Sequence, residues 1–413
     1  MAKQKRFSII LILGLLSAIG PFSIDMYLPG FPAIASGLGS SISRVSLSLS
    51  SFFIGISVGQ LLYGPLLDRY GRKAPLSIGI IAYILASAGC AWAGSVNMLI
   101  ILRFLQALGA CAGMVAARAM VRDLFEVREN AKIFSLLMLV VAVSPIVAPT
   151  LGGYVAANLG WRVIFFVLTG MAILILGAVR LMLPESRPPD PGLSLRPAPI
   201  VKGFLTVFRE PQFYTYACTG AIASSGLYAY IAGSPYVFMI WFKVSEKQYG
   251  WIFALIALGL IGASQLNSVL LRQYRSEEII KVAMTCQSLI GLLLLIGTLL
   301  GWLELFSTIF FIFLFLCCQG FTFPNSSALS LAPFSRNAGT ASALMGWFQM
   351  GTGALTSATV GYLSGHSPIP MAAVMSGCAL CSLSILLIGS RIIRYRASIQ
   401  EVEEQSTELI STS

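Results

Sequence analysis

The sequence predicts an all-α polytopic membrane protein of twelve transmembrane helices in two six-helix bundles. Three observations carry this. Of 413 residues, 57% are hydrophobic and 10% charged, and the mean hydropathy is +0.84. A soluble domain carries roughly 25% charged residues. Apolar runs of about 20 residues, each long enough to cross ~30 Å of hydrocarbon, recur from end to end. A proline-rich polar stretch interrupts them near the middle.

In order, the runs fall near 7–34, 46–66, 74–94, 97–120, 133–156, 161–182, 212–238, 248–270, 279–300, 302–325, 337–363 and 370–392. The first is longer than a signal-peptide core and no small-residue cleavage site follows it, so it reads as a retained helix. Between the sixth and seventh lies LPESRPPDPGLSLRPAPIVKG, Leu183 to Gly203. Its prolines and mixed charge predict an extended cytoplasmic linker. The chain therefore divides into a six-helix bundle over 1–183, a linker over 184–205, a second bundle over 206–392 and a tail over 393–413, polar and expected to be disordered. A faint repeat supports duplication: Gln60-Leu61 and Tyr70 recur as Gln265-Leu266 and Tyr274. Paired repeats around a central site are the architecture of secondary transporters.

The net charge of +11 would suit nucleic acid, but its distribution argues otherwise. With the N-terminus inside, Arg44, Arg162, Lys243 and Lys247 fall outside, Arg103 lies within the membrane, and every other Lys and Arg falls on a cytoplasmic segment. The positive-inside rule accounts for the basicity. An even number of spans returns the C-terminus to the cytoplasm.

Soluble-type chemistry finds no footing. The eight cysteines lie within spans, and the Cys378-x-x-Cys381 pair has no second pair and no histidine beside it. His366, the only histidine, falls in an outer loop. No phosphate-binding loop is present. The expectation is no catalytic residue, no metal and no cofactor, with the bilayer, protons and a small molecule as partners and the chain as a monomer.

Two charged side chains lie well inside the spans: Asp25 and Arg103. Gly14, Ser17, Pro21 and Asp25 follow helical spacing along one narrow face, so the acid points into the bundle. Burial raises a carboxyl pKa and a nearby arginine lowers it. Three readings stay open for Asp25: a proton-coupling site balanced against Arg103, a static ion pair with Arg103, and an acid at the outer mouth. Gln106 shares the face of Arg103. Small-residue stripes, Ser48-Ser51-Gly55-Gly59 and Gly109-x-x-x-Gly113, predict close helix packing.

Four stretches carry a resemblance. GPLLDRYGRK, Gly64 to Lys73, resembles the signature of the major facilitator superfamily, in the loop after the second span. Gly64 and Gly71 allow close packing and a tight turn. Asp68, with Arg69, Arg72 and Lys73, forms a charge cluster suited to a gate, in which Asp68 is expected to pair with arginine and face a helix N-terminus. ILRFLQALGACAGM resembles the superfamily's R-F-x-Q-G motif, with Ala107 for glycine. VSPIVAPTLGGYV resembles the motif of the antiporter branch, with Pro145, Pro149, Gly152 and Gly153 present and Ala148 in place of a glycine. SIDMYLPGFP resembles the start of the Bcr/CflA subfamily of drug-resistance transporters, and the likeness continues in Arg122-Asp123, WRVIFF and AGTASAL.

The resemblance implies a twelve-helix major facilitator fold in a bacterial cytoplasmic membrane, and a proton-driven antiporter exporting drugs or small amphipathic compounds. A proton-coupled exporter of a small metabolite, such as cysteine or a dipeptide, is the alternative, and a membrane enzyme or channel the remote one. An apolar, aromatic cargo pocket would draw on Tyr27, Gln106, Tyr228, Tyr236, Trp347 and Gln349.

Overall fold

A computed structural model describes residues 3–190, 192, 197–334, 338–363 and 367–411. Arg196, Arg336 and His366 lie outside the described residues. The first half holds α1 (Lys3–Asp25), α2 (Phe31–Gly37), α3 (Ile42–Tyr70), α4 (Lys73–Ala91), α5 (Val96–Leu124), α6 (Val127–Leu159) and α7 (Trp161–Met182). After α8 (Pro197–Phe208) come α9 (Pro211–Ser234), α10 (Glu246–Leu270), α11 (Ser276–Leu299), α12 (Leu305–Leu331), α13 (Ala338–Leu363) and α14 (Ile369–Ser411).

Among the described residues, ten segments are long and apolar enough to cross a membrane. The other two expected spans, α9 and α13, have 24 and 26 residues but are rich in Gly, Ser and Thr. Their position explains the composition. α9 is buried along nearly its whole length, packed on α12, α13 and α14, while α13 sits between α9 and α3. Helices that face other helices rather than lipid gain from small residues.

The helices preceding α8 pack on one another, α5 lying against α1, α3 and α4, and those following it do likewise. Two seams join the groups, α3 with α13 and α6 with α10. Glycines set the closest approaches. A Cβ at Gly55 would lie 2.6 Å from the Phe104 carbonyl oxygen of α5, and one at Gly109 would lie 2.6 Å from the Gly79 carbonyl oxygen of α4.

Three expectations need correction. The first span is not one helix: α1 stops at Asp25, a 3-10 turn covers Leu28–Gly30, and α2 follows. Proline causes the break, since Pro29 has no N–H to donate to the Asp25 carbonyl. The linker is not extended throughout. Pro197–Phe208 forms α8, prolines being tolerated in a first turn, and its Phe204 and Val207 pack with Phe213, Ala341 and Leu344. The tail likewise continues α14 as helix to Ser411, through a Glu- and Gln-rich stretch of good helix formers.

Candidate functional site

The break after Asp25 leaves the last carbonyls of α1 without intrahelical partners. Arg103 of α5 takes one of them. Its Nη2 donates to the Ser23 carbonyl oxygen at 2.9 Å and its Nη1 to Gln106 Oε1 at 2.6 Å. Gln106 Nε2 donates in turn to Ser87 Oγ at 2.7 Å, and Ser23 Oγ pairs with Tyr83 Oη at 2.7 Å. The guanidinium lies over the rings of Tyr27 and Phe52 at 4.1 and 4.3 Å. Arg103 is fully buried, and its Nε has no partner among the described residues. A cation at the end of a helix meets the negative end of its dipole. Arg103 thus fixes the turn that presents Asp25.

Asp25 itself is 4% exposed and has neither hydrogen-bond nor ion-pair partner among the described residues. The ion pair with Arg103 is therefore absent here. Arg103 spends its donors on Ser23 and Gln106, inside the first group of helices. Asp25's neighbours Met26 and Tyr27 instead share one apolar cluster with Tyr228 and Tyr230 of α9 and Tyr249 of α10, in the second group. Tyr249 Oη bonds Ser234 Oγ at 2.8 Å. The buried Tyr230 hydroxyl has no partner among the described residues.

The span-five motif holds this turn from the other side. Pro145 and Pro149 lie within α6. A Cβ at Gly152 would collide with the Met26 carbonyl oxygen, next to Asp25. A Cβ at Gly153 would lie 2.5 Å from the Glu246 carbonyl oxygen, and one at Gly250 would lie 2.8 Å from that of Pro149. So α6 touches the end of α1 and the start of α10 at once. This contact lies at the end of the bundle opposite Gly71. At that far end Ser50 Oγ donates to Ser357 Oγ at 2.9 Å across the α3–α13 seam, and Lys247 Nζ sits 5.4 Å from the Tyr154 ring centre.

At the motif end, Gly71 turns with φ of +78°, a conformation that favours glycine. Arg72 Nη1 meets Asp68 Oδ1 at 2.6 Å, and its Nε meets Asp123 Oδ2 at 2.7 Å. Burial works against this guanidinium, but the bonds to Asp123 and Asp68 outweigh it and hold its pKa above the ordinary value. Arg187 Nη1 stands 3.6 Å from Asp68 Oδ1. The N-terminus of α4 is capped by Glu185, not by Asp68 as expected: Oε1 accepts from Arg72 N at 2.7 Å and Oε2 from Lys73 N at 3.0 Å. Lys73 Nζ reaches the Arg180 carbonyl oxygen at 3.4 Å, the Arg69 carbonyl oxygen accepts from Asp190 N at 3.0 Å, and Gly64 has open space about it. Sequence reasoning missed Glu185 and Arg187. The signal was available in the P-E-S-R run that closes the sixth span.

The candidate cargo residues scatter. Tyr27 is buried in the first group, its ring against Phe31 and its hydroxyl 3.3 Å from Ser48 Oγ. Gln106 is committed to Arg103 and Ser87. Tyr228 packs on Phe53 across the groups, with ring centres 4.7 Å apart. Tyr236 lies in a π-helical turn, Pro235–Trp241, that continues α9. Trp347 packs on Phe348, and its carbonyl accepts from Ser57 Oγ at 3.1 Å. Gln349 lines a small cavity with Tyr216, Phe323, Ser326 and Met345. No group of metal-ligating side chains occurs among the described residues, and all eight cysteines are free.

Membrane-length helices in two groups, joined at two seams with a carboxylate between them, define a membrane transporter. The chain belongs to the major facilitator superfamily, which it matches over residues 13–357. It is 33% identical over 374 residues to the MFS-type transporter YdgK of Bacillus subtilis (strain 168), covering 90% of this chain and 92% of that one. It is 31% identical over 401 residues to a bicyclomycin resistance protein homolog of Haemophilus influenzae, covering 96% and 100%. Among solved structures, the inward-facing, occupied bacterial homolog of the human lysosomal transporter Spinster superposes with a TM-score of 0.73 at 15% identity, over 95% of this chain and 98% of that one. The last likeness concerns the fold alone. The protein is a multi-pass transporter and not an enzyme.

Proposed function

We propose that this transporter is a proton-coupled antiporter that exports drugs or other small amphipathic compounds by alternating access. It would sit in a bacterial cytoplasmic membrane as a monomer with both termini cytoplasmic, moving residues 1–183 against 206–392 about the linker at 184–205. The similarity to the bicyclomycin resistance protein homolog supports the cargo class. One observation carries the coupling: Asp25 is buried between the two groups and has no ion-pair partner among the described residues. A lone acid in that place is stable when protonated and exchanges its proton when water or a cation reaches it.

In this reading Arg103 is a positioning residue that holds the turn, and Asp25 carries the proton. Closed packing at Gly152 and Gly153 seals the far end, the periplasmic side, while Asp25 loses its proton toward the cytoplasm and cargo enters. The bonds among Asp68, Arg72 and Asp123, already made within the first group, hold the loop that Gly64, Arg69, Gly71 and Lys73 shape, and this preformed loop meets the second group at the motif end in the opposite state. No cofactor takes part; the proton gradient drives the cycle.

Everted vesicles carrying wild type or Asp25→Asn test this. With an acid interior imposed, wild-type vesicles should accumulate ethidium, lose it when the gradient is collapsed, and the variant should accumulate none. Accumulation by the variant at the wild-type rate would remove Asp25 from the coupling.

A further inference from the structure

We infer that the second half carries a pocket for a small uncharged alcohol, in the space enclosed by the π-helical turn after α9, the end of α11 and the starts of α12 and α14. The pocket lies outside the space between the two groups, and the inference does not rest on the export reading.

Two chain features build the space. On one side Pro235 has no N–H for the Ile231 carbonyl, and the chain runs on as the π turn Pro235–Trp241. Phe242 N closes it by donating to the Val237 carbonyl oxygen at 3.1 Å. Such widened turns gather at functional sites. On the other side α11 ends in a glycine-centred cap. Gly301 takes φ of +70°, Trp302 N donates to the Gly297 carbonyl oxygen at 3.0 Å, and Gly301 N donates to that of Thr298 at 3.3 Å. Between these walls lies a cavity of about 100 Å³. Its apolar floor is Val237, Leu294, Met371 and Ala372, each buried. Its rim includes Trp241 and Gly301, both exposed.

Two hydroxyl-bearing residues line this space, Thr298 and Thr308. Thr298 Oγ1 donates to the Leu294 carbonyl oxygen at 2.7 Å, so it can still accept. Thr308 is 5% exposed, and its hydroxyl has no partner among the described residues. Its backbone N, and not its side chain, bonds the Glu304 carbonyl oxygen, at 2.9 Å. A buried hydroxyl without a partner is costly. So is an empty space of this size in a closely packed interior. One guest removes both costs. An apolar cavity of roughly 150 Å³ takes benzene. This one is smaller and carries a donor, so it suits a hydroxyl on a chain of about four carbons. Thr308 would give its hydrogen to the guest oxygen, with the carbon chain against Leu294 and Met371. No charged residue lines the cavity among the described residues, so an ion would find no counter-charge there. Exposed Trp241 and Trp302 mark the mouth as lying at the membrane–water interface, the depth of a small amphiphile and not of acyl-chain ends. The same π turn touches α2 of the first group and α10, so an occupant sits directly behind a far-end contact between the groups.

Photolabelling of the purified full-length protein in nanodiscs with the diazirine analogue of n-butanol tests the assignment. Adducts mapped by mass spectrometry should saturate on Trp241, Phe242, Leu303 and Met371, and n-butanol should displace them. Thr308→Val keeps the shape and removes the hydroxyl. It should raise the n-butanol concentration needed for displacement about 3- to 10-fold, the effect of one neutral hydrogen bond. Displacement by n-butyl chloride, which has no O–H, should stay within about 2-fold. Ala372→Leu fills the floor and should abolish these adducts while leaving those on lipid-facing surfaces unchanged. Adducts that rise linearly with probe concentration, or that persist in Ala372→Leu, would overturn the pocket. So would displacement by added phospholipid but not by n-butanol, which would mean that an acyl chain fills the space. Equal weakening of both competitors in Thr308→Val, or of neither, would overturn the alcohol chemistry.

Discussion

Adding one methyl group at residue 152 asks how tightly the far end is closed. In Gly152→Ala the new Cβ would collide with the Met26 carbonyl oxygen and lie 2.8 Å from the Met26 carbonyl carbon and 3.1 Å from its Cα. These are backbone atoms, so no side chain can swing aside. Nor can α6 retreat freely, because its next residue, Gly153, already rests on the Glu246 carbonyl of α10. Overpacking of this kind costs about 1–3 kcal/mol. With tenfold per 1.4 kcal/mol, the closed arrangement should lose population by roughly 5- to 150-fold relative to one in which α10 has moved off α6 and leaves α6 room to shift from the α1 turn. Spin-label distances across the far end, between Ser36→Cys and Trp241→Cys in a cysteine-replaced background, should show a longer component in Gly152→Ala that is minor in Gly152. Export should slow in step. An unchanged distance distribution together with unchanged export would refute the claim that this contact holds the far end shut.

Other outcomes follow from the same geometry. Glu185→Gln removes the charge from two helix-capping bonds and should destabilise the motif end by about 1 kcal/mol, read as faster proteolysis of the segment after α7; unchanged cleavage would mean the cap is idle. Asp123→Asn leaves the buried Arg72 with Asp68 as its main acid, and should lower the unfolding temperature more than Glu185→Gln does, by roughly 3 kcal/mol of lost stability. Arg103→Lys cannot bridge Ser23 and Gln106 while lying over two rings, so it should lose about 2–4 kcal/mol despite keeping its charge; wild-type thermal stability would argue against the cage. Tyr230→Phe removes an unpartnered hydroxyl, so stability should hold or rise while the pH profile of export shifts. An unaltered profile would separate that hydroxyl from Asp25.

Much of this was legible along the chain because it is local. Run length and charge asymmetry report on the bilayer directly. The spacing of Arg103 and Gln106 puts them on one helical face, and their side chains do meet. The stripe through Gly55 and Gly59 lies where α3 and α5 touch. What the sequence hid depends on contacts between distant segments. Glu185 lies 113 residues from the backbone nitrogen it caps. Asp25 and Arg103 looked like partners because they were the two intramembrane charges. Their relation was decided instead by the broken end of α1, whose carbonyl competes for the arginine. The three tyrosines that cluster with Met26 and Tyr27, beside Asp25, come from the other group of helices, where nothing in their own sequence points to an acid. The same holds for α9 and α13, whose modest hydropathy reflects burial against helices and not a loop.

Proton release on cargo binding is the most direct test of the central claim. Purified protein in weakly buffered detergent solution near neutral pH, with a pH indicator dye, would be mixed with tetraphenylphosphonium. Wild type should release protons as the cation binds, and Asp25→Asn should bind the same probe and release none. Release by Asp25→Asn equal to that of wild type, or a wild type that binds without release at every pH tested, would contradict the account.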